Sequence, residues 1–216
     1  MEVFTFPPNS IVNINSIAFT LLAYPVSYLE FIATLFGLLS VYLASKRNIL
    51  TWPTGIINEW GFFLLFYQVQ LYADMLLQVY FFAMTLYGWY YWNSTQKKRE
   101  VTRLSPQQWR YLIVTLALGT MALGLFIRNL HLMLPAFFQL PAAFPFIDAF
   151  TTITSIIAML FLAKKILDSW LLWIAVDVVS IGLYTIKDIN VVAVEYAVFL
   201  LIAIYGYIHW QRMVDD

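Results

Sequence analysis

Long apolar stretches broken by short polar or proline-containing junctions recur along the chain. They predict seven helical spans, at about Tyr28–Ala44, Trp52–Val69, Met75–Trp92, Tyr111–Ile127, Ile147–Ala163, Trp170–Ile186 and Val191–Trp210. Residues 11–24 are apolar but too short to cross a bilayer, and a helix lying in the membrane interface suits them. The predicted organisation is therefore an N-terminal segment over 1–27 and three spans over 28–92. A basic loop, a linker span and an outer loop follow over 93–143, and three further spans over 144–211.

Sliding the chain along itself by 118 positions, without a gap, pairs Trp52 with Trp170, Gly88 with Gly206 and Trp92 with Trp210. The same offset pairs Lys46 with Lys164, Tyr87 with Tyr205, Glu30 with Asp148 and Glu59 with Asp177. Apolar matches arise by chance in so greasy a chain, but tryptophan, glycine and acid matches at one offset do not. The expectation is an internal duplication, two parallel three-helix repeats joined by a linker helix (3+1+3), the linker letting both copies point the same way.

Composition fixes the solvent: 62% of the 216 residues are hydrophobic and 11% charged, too little polar surface to cover the chain in water. An all-α integral membrane protein is the reading. The absence of cysteine excludes disulfides, thiolate metal sites and cysteine nucleophiles, and a formal net charge of zero argues against nucleic acid as a partner. The N-terminus carries no basic start or small-residue cleavage site, so it reads as retained. With the N-terminus outside and the C-terminus inside, ten of the twelve basic residues fall on the cytoplasmic side, leaving only Arg128 and Lys187 outside.

Polar side chains inside a membrane must face protein or water, so they mark the candidate site. Trp170, Trp173, Asp177, Ser180 and Tyr184 fall within an arc of roughly 80° on one helix face, at about 100° per residue. Indole rings, a carboxylate, a hydroxyl and a phenol together suit a flat, cationic, hydroxylated solute. Asp177 lies seven residues into its span, about 10 Å of helix rise, toward midplane. The second span repeats the face with Trp52 and Glu59, and Asn58, Gln78, Glu195 and Tyr196 are further candidates to line the cavity. The bland readings are that Trp52 and Trp170 anchor their spans at the interface, that Trp92 and Trp210 belong to an aromatic belt, and that the two acids fix helix packing. His131 and His209 lack metal-ligand spacing, and no nucleotide-binding loop, HExxH helix or GxSxG turn is present, so neither a cofactor nor an enzyme activity is expected.

The run SYLEFIATLFGLLSVYLASKRNILTWPTGIINEWG from Ser27, the WLLW at 170–173 and the closing IYGYIHW resemble the PnuC nicotinamide riboside transporters, over about residues 27–210. The resemblance implies a layout like that of the SWEET sugar carriers, a homotrimer and a bacterial inner membrane. It also implies facilitated diffusion of the vitamin, a uniport driven by a cytosolic kinase that phosphorylates it. The family's WxxW motif falls on Trp170 and Trp173, and its glutamine on Gln78. Asp177, Glu59 and Glu195 depart from the family pattern, which leaves thiamine or another cationic vitamin open beside nicotinamide riboside. A non-transporting membrane scaffold is the alternative of a different class.

Overall fold

The computed structural model describes residues 7, 10–21, 24–69, 72–94, 100–133 and 141–215. The Lys97-Lys98-Arg99 run of the orientation argument lies outside them. Two short strands, β1 (Ile17–Leu21) and β2 (Tyr24–Ser27), precede seven helices. These are α1 (Tyr28–Ser45), α2 (Thr51–Gln68), α3 (Tyr72–Asn93), α4 (Pro106–Met133), α5 (Pro145–Ala163), α6 (Ser169–Ile186) and α7 (Asn190–Asp215). Five of them, α1, α4, α5, α6 and α7, are long and apolar enough to cross a membrane. Large side chains left uncovered on their outer faces, such as Leu118 on α4 at 66% and Leu201 on α7 at 68% exposed, fit a lipid surround. The chain forms two compact units, Met1–Lys98 and Arg99–Asp216.

In the first unit α1 packs on α2, and α2 on α3. Ser27 caps α1 by accepting the Glu30 amide at 3.1 Å, and the Glu30 carboxylate accepts from the Tyr24 hydroxyl at 3.1 Å. The turn after α1 closes with Arg47 at φ 54°, the Arg47 amide bonding Ala44 and the Asn48 amide bonding Leu43. This is the paired bond pattern that ends helices on a left-handed residue, here without glycine. The turn after α5 repeats it 118 residues later, with Lys165 at φ 57° and amides of Lys165 and Ile166 on Leu162 and Phe161. The bounds of α2 and α6 also differ by 118 at both ends.

The close approach of α1 and α2 depends on small residues. Ser40 and Thr51 exchange side-chain-to-backbone hydrogen bonds at 2.8 and 2.9 Å. A Cβ at Gly37 would fall 2.6 Å from the Asn58 amide nitrogen.

The N-terminal segment departs from the expected interfacial helix: residues 17–21 pair antiparallel with 24–27. Local turn chemistry explains this. The Asn13 side chain accepts the Asn15 amide at 2.9 Å, and Pro25 would remove a hydrogen bond from a helix but is tolerated in a two-stranded edge. Phe19 packs edge-on against Phe31 of α1, with ring centroids 5.3 Å apart. Gln68, the last residue of α2, fastens the segment by donating to the Val12 carbonyl at 2.8 Å and accepting the Ile14 amide at 3.2 Å. Gln68→Leu is expected to cost about 1–2 kcal/mol locally and to speed proteolytic cleavage near residues 12–16, read by limited proteolysis in detergent.

In the second unit α4 packs on α5, α5 on α6 and α6 on α7. Ser105 and Gln108 form a reciprocal capping box that starts α4: the Gln108 amide bonds the Ser105 hydroxyl at 3.3 Å and the Ser105 amide bonds the Gln108 side chain at 2.8 Å. At 28 residues α4 rises about 42 Å, more than a bilayer core needs. Gly124 admits the Phe146 ring of α5 against the α4 backbone.

Candidate functional site

The candidate residues separate into three groups. The first is built on α6 and α7. Asp177 is 4% exposed and Ser180 is buried one turn further along α6. Tyr184 of α6 stacks on Tyr196 of α7, ring centroids 5.5 Å apart and planes 14° apart. The Ser180 hydroxyl lies beside the Tyr196 phenol, and Asp177, Tyr184 and Glu195 are its other charged or phenolic neighbours. The structure thus brings Asp177, Ser180, Tyr184, Glu195 and Tyr196 together. Among the described residues no lysine or arginine pairs with the Asp177 carboxylate. A buried carboxylate without a counterion is costly, and a cation delivered to it gains what a solvated cation would not.

The second group is a pair of tryptophan locks, one in each unit. Trp52 of α2 meets Trp92 of α3 edge-on at 5.0 Å and 86°, and Trp170 of α6 meets Trp210 of α7 at 5.6 Å and 82°. Each buried ring lies against a glycine of the neighbouring helix. A Cβ at Gly206 would fall 2.8 Å from three atoms of Trp170, and one at Gly88 would fall closer still to three atoms of Trp52. Trp170 and Trp210 are both 0% exposed, so Trp210 is enclosed by its neighbours and does not stand in an outward-facing belt, and the Trp170 ring is packed between α6 and α7. Trp52 is equally enclosed and is no interface anchor. The reason is geometric: glycine and tryptophan four residues apart, on α3 and again on α7, make a slot that an indole enters, and the first tryptophan of the preceding helix fills it. Both indole N–H groups, of Trp52 and Trp170, are buried with no hydrogen-bond partner among the described residues.

Trp173 belongs to neither group. It is partly buried and packs with Leu104, Trp109, Leu116, Ile157 and Phe161 around the buried residues Leu112, Ala158 and Leu172. The ring is thus placed on the α4 and α5 side of α6, with part of its surface left open.

The third group is the acid of the first unit. Glu59, 6% exposed, accepts a hydrogen bond from the Thr85 hydroxyl of α3 at 2.5 Å, and its other oxygen is buried with no partner among the described residues. Asn58 does not line a cavity with its amide nitrogen: that group donates to the Ala33 carbonyl of α1 at 2.8 Å and secures the α1–α2 crossing. Gln78 is partly buried on α3, seven residues before Thr85. Thr85 itself escaped the sequence reading, although the lone threonine in FFAMTLY was the available signal. Asp168, which holds the start of α4, escaped it as well, because its partners are distant in sequence. Among the described residues no group of three or more metal-binding side chains occurs.

Comparison with known proteins gives the same direction. The profile of the family described as nicotinamide mononucleotide transporter matches residues 27–212. The chain is 32% identical over 206 residues to the nicotinamide riboside transporter PnuC of Escherichia coli K12, covering 87% of this chain and 86% of that protein. It is 26% identical over 202 residues to the riboflavin/roseoflavin transporter RibM of Streptomyces davaonensis, with 91% of each chain covered. The crystal structure of a vitamin B3 transporter PnuC is similar in fold, with a TM-score of 0.68 at 23% identity over 87% of this chain and 82% of that one. The chain therefore belongs to the PnuC-type family of nicotinamide mononucleotide transporters, membrane carriers and not enzymes.

Proposed function

We propose that this protein carries nicotinamide riboside across a bacterial inner membrane by facilitated diffusion, with net uptake maintained by a cytosolic kinase that phosphorylates the vitamin after entry. The observation that carries the reading is the buried, unpaired Asp177 beside Ser180 and the Tyr184–Tyr196 stack. Nicotinamide riboside presents a pyridinium cation and a hydroxylated ribose, which match a carboxylate and a row of hydroxyl groups. Similarity to the Escherichia coli transporter supports the same substrate. In this reading Trp173, with its open surface, stacks the pyridinium ring, Trp170 and Trp52 hold the helices that carry the two acids, and Glu59 and Gln78 are the polar candidates of the first unit.

The recurrence of helix bounds, of left-handed turns and of tryptophan locks at a spacing of 118 supports a 3+1+3 arrangement of two parallel repeats with α4 as linker. Seven crossings with the N-terminus outside, a SWEET-like layout and a homotrimer complete the proposal. Rocking of one repeat against the other then supplies alternating access.

The test is the thermal midpoint of the detergent-solubilised protein with nicotinamide riboside, thiamine and riboflavin in parallel, followed by uptake into proteoliposomes. A ligand at about 100 times its Kd stabilises the folded state by about 2.7 kcal/mol, so binding is visible as a raised midpoint. The expected result is a shift with nicotinamide riboside alone. A shift with thiamine or riboflavin alone reassigns the substrate, and the absence of any shift or uptake favours the scaffold reading.

A further inference from the structure

Asp168 stands immediately before α6, the position from which an aspartate ordinarily caps its own helix. It does not do so: its backbone is already helical (φ −64°, ψ −12°) and its side chain bonds no amide of α6. Both carboxylate oxygens turn instead to the segment that opens the linker helix. One accepts the Leu104 amide at 2.6 Å and the other the Trp109 indole N–H at 2.9 Å, and the residue is buried. Backbone bonds reinforce the clamp, the Thr102 amide donating to Lys165 at 3.1 Å and the Leu167 amide to Thr102 at 2.8 Å. The equivalent position before α2 is Leu50, which has no carboxylate to offer.

The two residues that Asp168 holds, Leu104 and Trp109, are also two of those packed around Leu112, Ala158 and Leu172. Trp173 packs around the same three residues. The wall beneath Trp173 is therefore assembled from α4, α5 and α6, and the only polar side chain that ties the entry of α4 to the α5–α6 turn among the described hydrogen bonds is Asp168. An indole that stacks a ligand must hold its plane within fractions of an ångström, which requires that the wall not slide.

We propose that Asp168 is a positioning residue for substrate recognition: through Leu104 and Trp109 it fixes the surface on which Trp173 rests. The inference deepens the transporter reading and rests on its assignment of Trp173 to the substrate ring. Trp109→Phe keeps most of the ring volume and removes the N–H, and Asp168→Asn keeps the shape and removes the charge.

The experiment uses the full chain labelled with 5-fluorotryptophan in detergent, fluorine resonances assigned by single substitutions, and nicotinamide riboside as the titrant. In both variants the Trp173 resonance is expected to shift or broaden while that of Trp52 stays in place. Affinity should weaken by about tenfold. In a Trp173→Phe background the Trp109→Phe change should weaken affinity by far less, because the coupled partner is already altered. An unmoved Trp173 resonance with unchanged affinity in folded Trp109→Phe, with only a lower thermal midpoint, would overturn the proposal. If Asp168→Asn does not fold, the Trp109→Phe arm decides alone. Failure of the unsubstituted protein to bind nicotinamide riboside counts against the substrate assignment, whereas the Trp173 resonance reports on the clamp without any ligand.

Discussion

Asp177→Ala is expected to raise the KM for uptake by about 10- to 100-fold while leaving the thermal midpoint of the ligand-free protein unchanged or higher. The two signs have one cause. A quaternary pyridinium has no N–H to donate, so the proposed contact with the carboxylate is charge against charge in a poorly solvated site, and a 10- to 100-fold loss corresponds to about 1.4–2.8 kcal/mol. The same carboxylate is 4% exposed and has no basic partner among the described residues, so in the empty protein it is a cost that alanine relieves. Uptake kinetics in proteoliposomes and a melting curve on the same preparation check both halves. Lost uptake together with a lowered midpoint would make Asp177 a packing residue. Glu59→Gln provides the contrast, with a smaller effect expected on KM, because the amide oxygen can still accept from the Thr85 hydroxyl.

Gly206→Leu is expected to remove most folded protein, at a cost of about 3 kcal/mol or more, without touching a residue assigned to the substrate. A Cβ at this position already meets three Trp170 atoms at 2.8 Å, and the ring is 0% exposed, so it has nowhere to go. Trp170→Ala is expected to cost about 3–5 kcal/mol for the opposite reason, a void where an indole was. Combining the two should recover part of the loss, since the leucine then occupies space the indole vacated. Fluorescence-detected size exclusion and melting of the three variants measure this. Additive losses in the double variant would mean that the ring and the glycine do not share one space.

Helix positions were legible in the sequence because a bilayer imposes length and apolarity on every crossing segment. The predicted Trp52–Val69 and Trp170–Ile186 spans lie within a residue of α2 (Thr51–Gln68) and α6 (Ser169–Ile186). The span predicted at Tyr111–Ile127 is extended at both ends in α4 (Pro106–Met133), at its start because a capping box at Ser105 and Gln108 begins the helix outside the apolar stretch. The hairpin before α1 was not legible: an apolar run is read as helix unless its turn chemistry, here Asn13 and Pro25, is weighed above its hydropathy. The acid, hydroxyl and tyrosine of α6 were recognisable as one face, and the partners Glu195 and Tyr196 could be named, since ionisable and phenolic groups inside a membrane need a reason to be there.

The sequence by itself determined the solvent, the placement of the helices and the residues too polar to face lipid, because each follows from the energetics of single side chains and from local periodicity. Tertiary structure alone decided which of those residues are committed to each other. Asn58 is held by the Ala33 carbonyl, Trp170 fills the slot at Gly206, and Asp168 reaches back 64 and 59 residues to Leu104 and Trp109. Such commitments join positions far apart in the chain through hydrogen-bond directions and van der Waals fit, and neither leaves a periodic trace in the sequence.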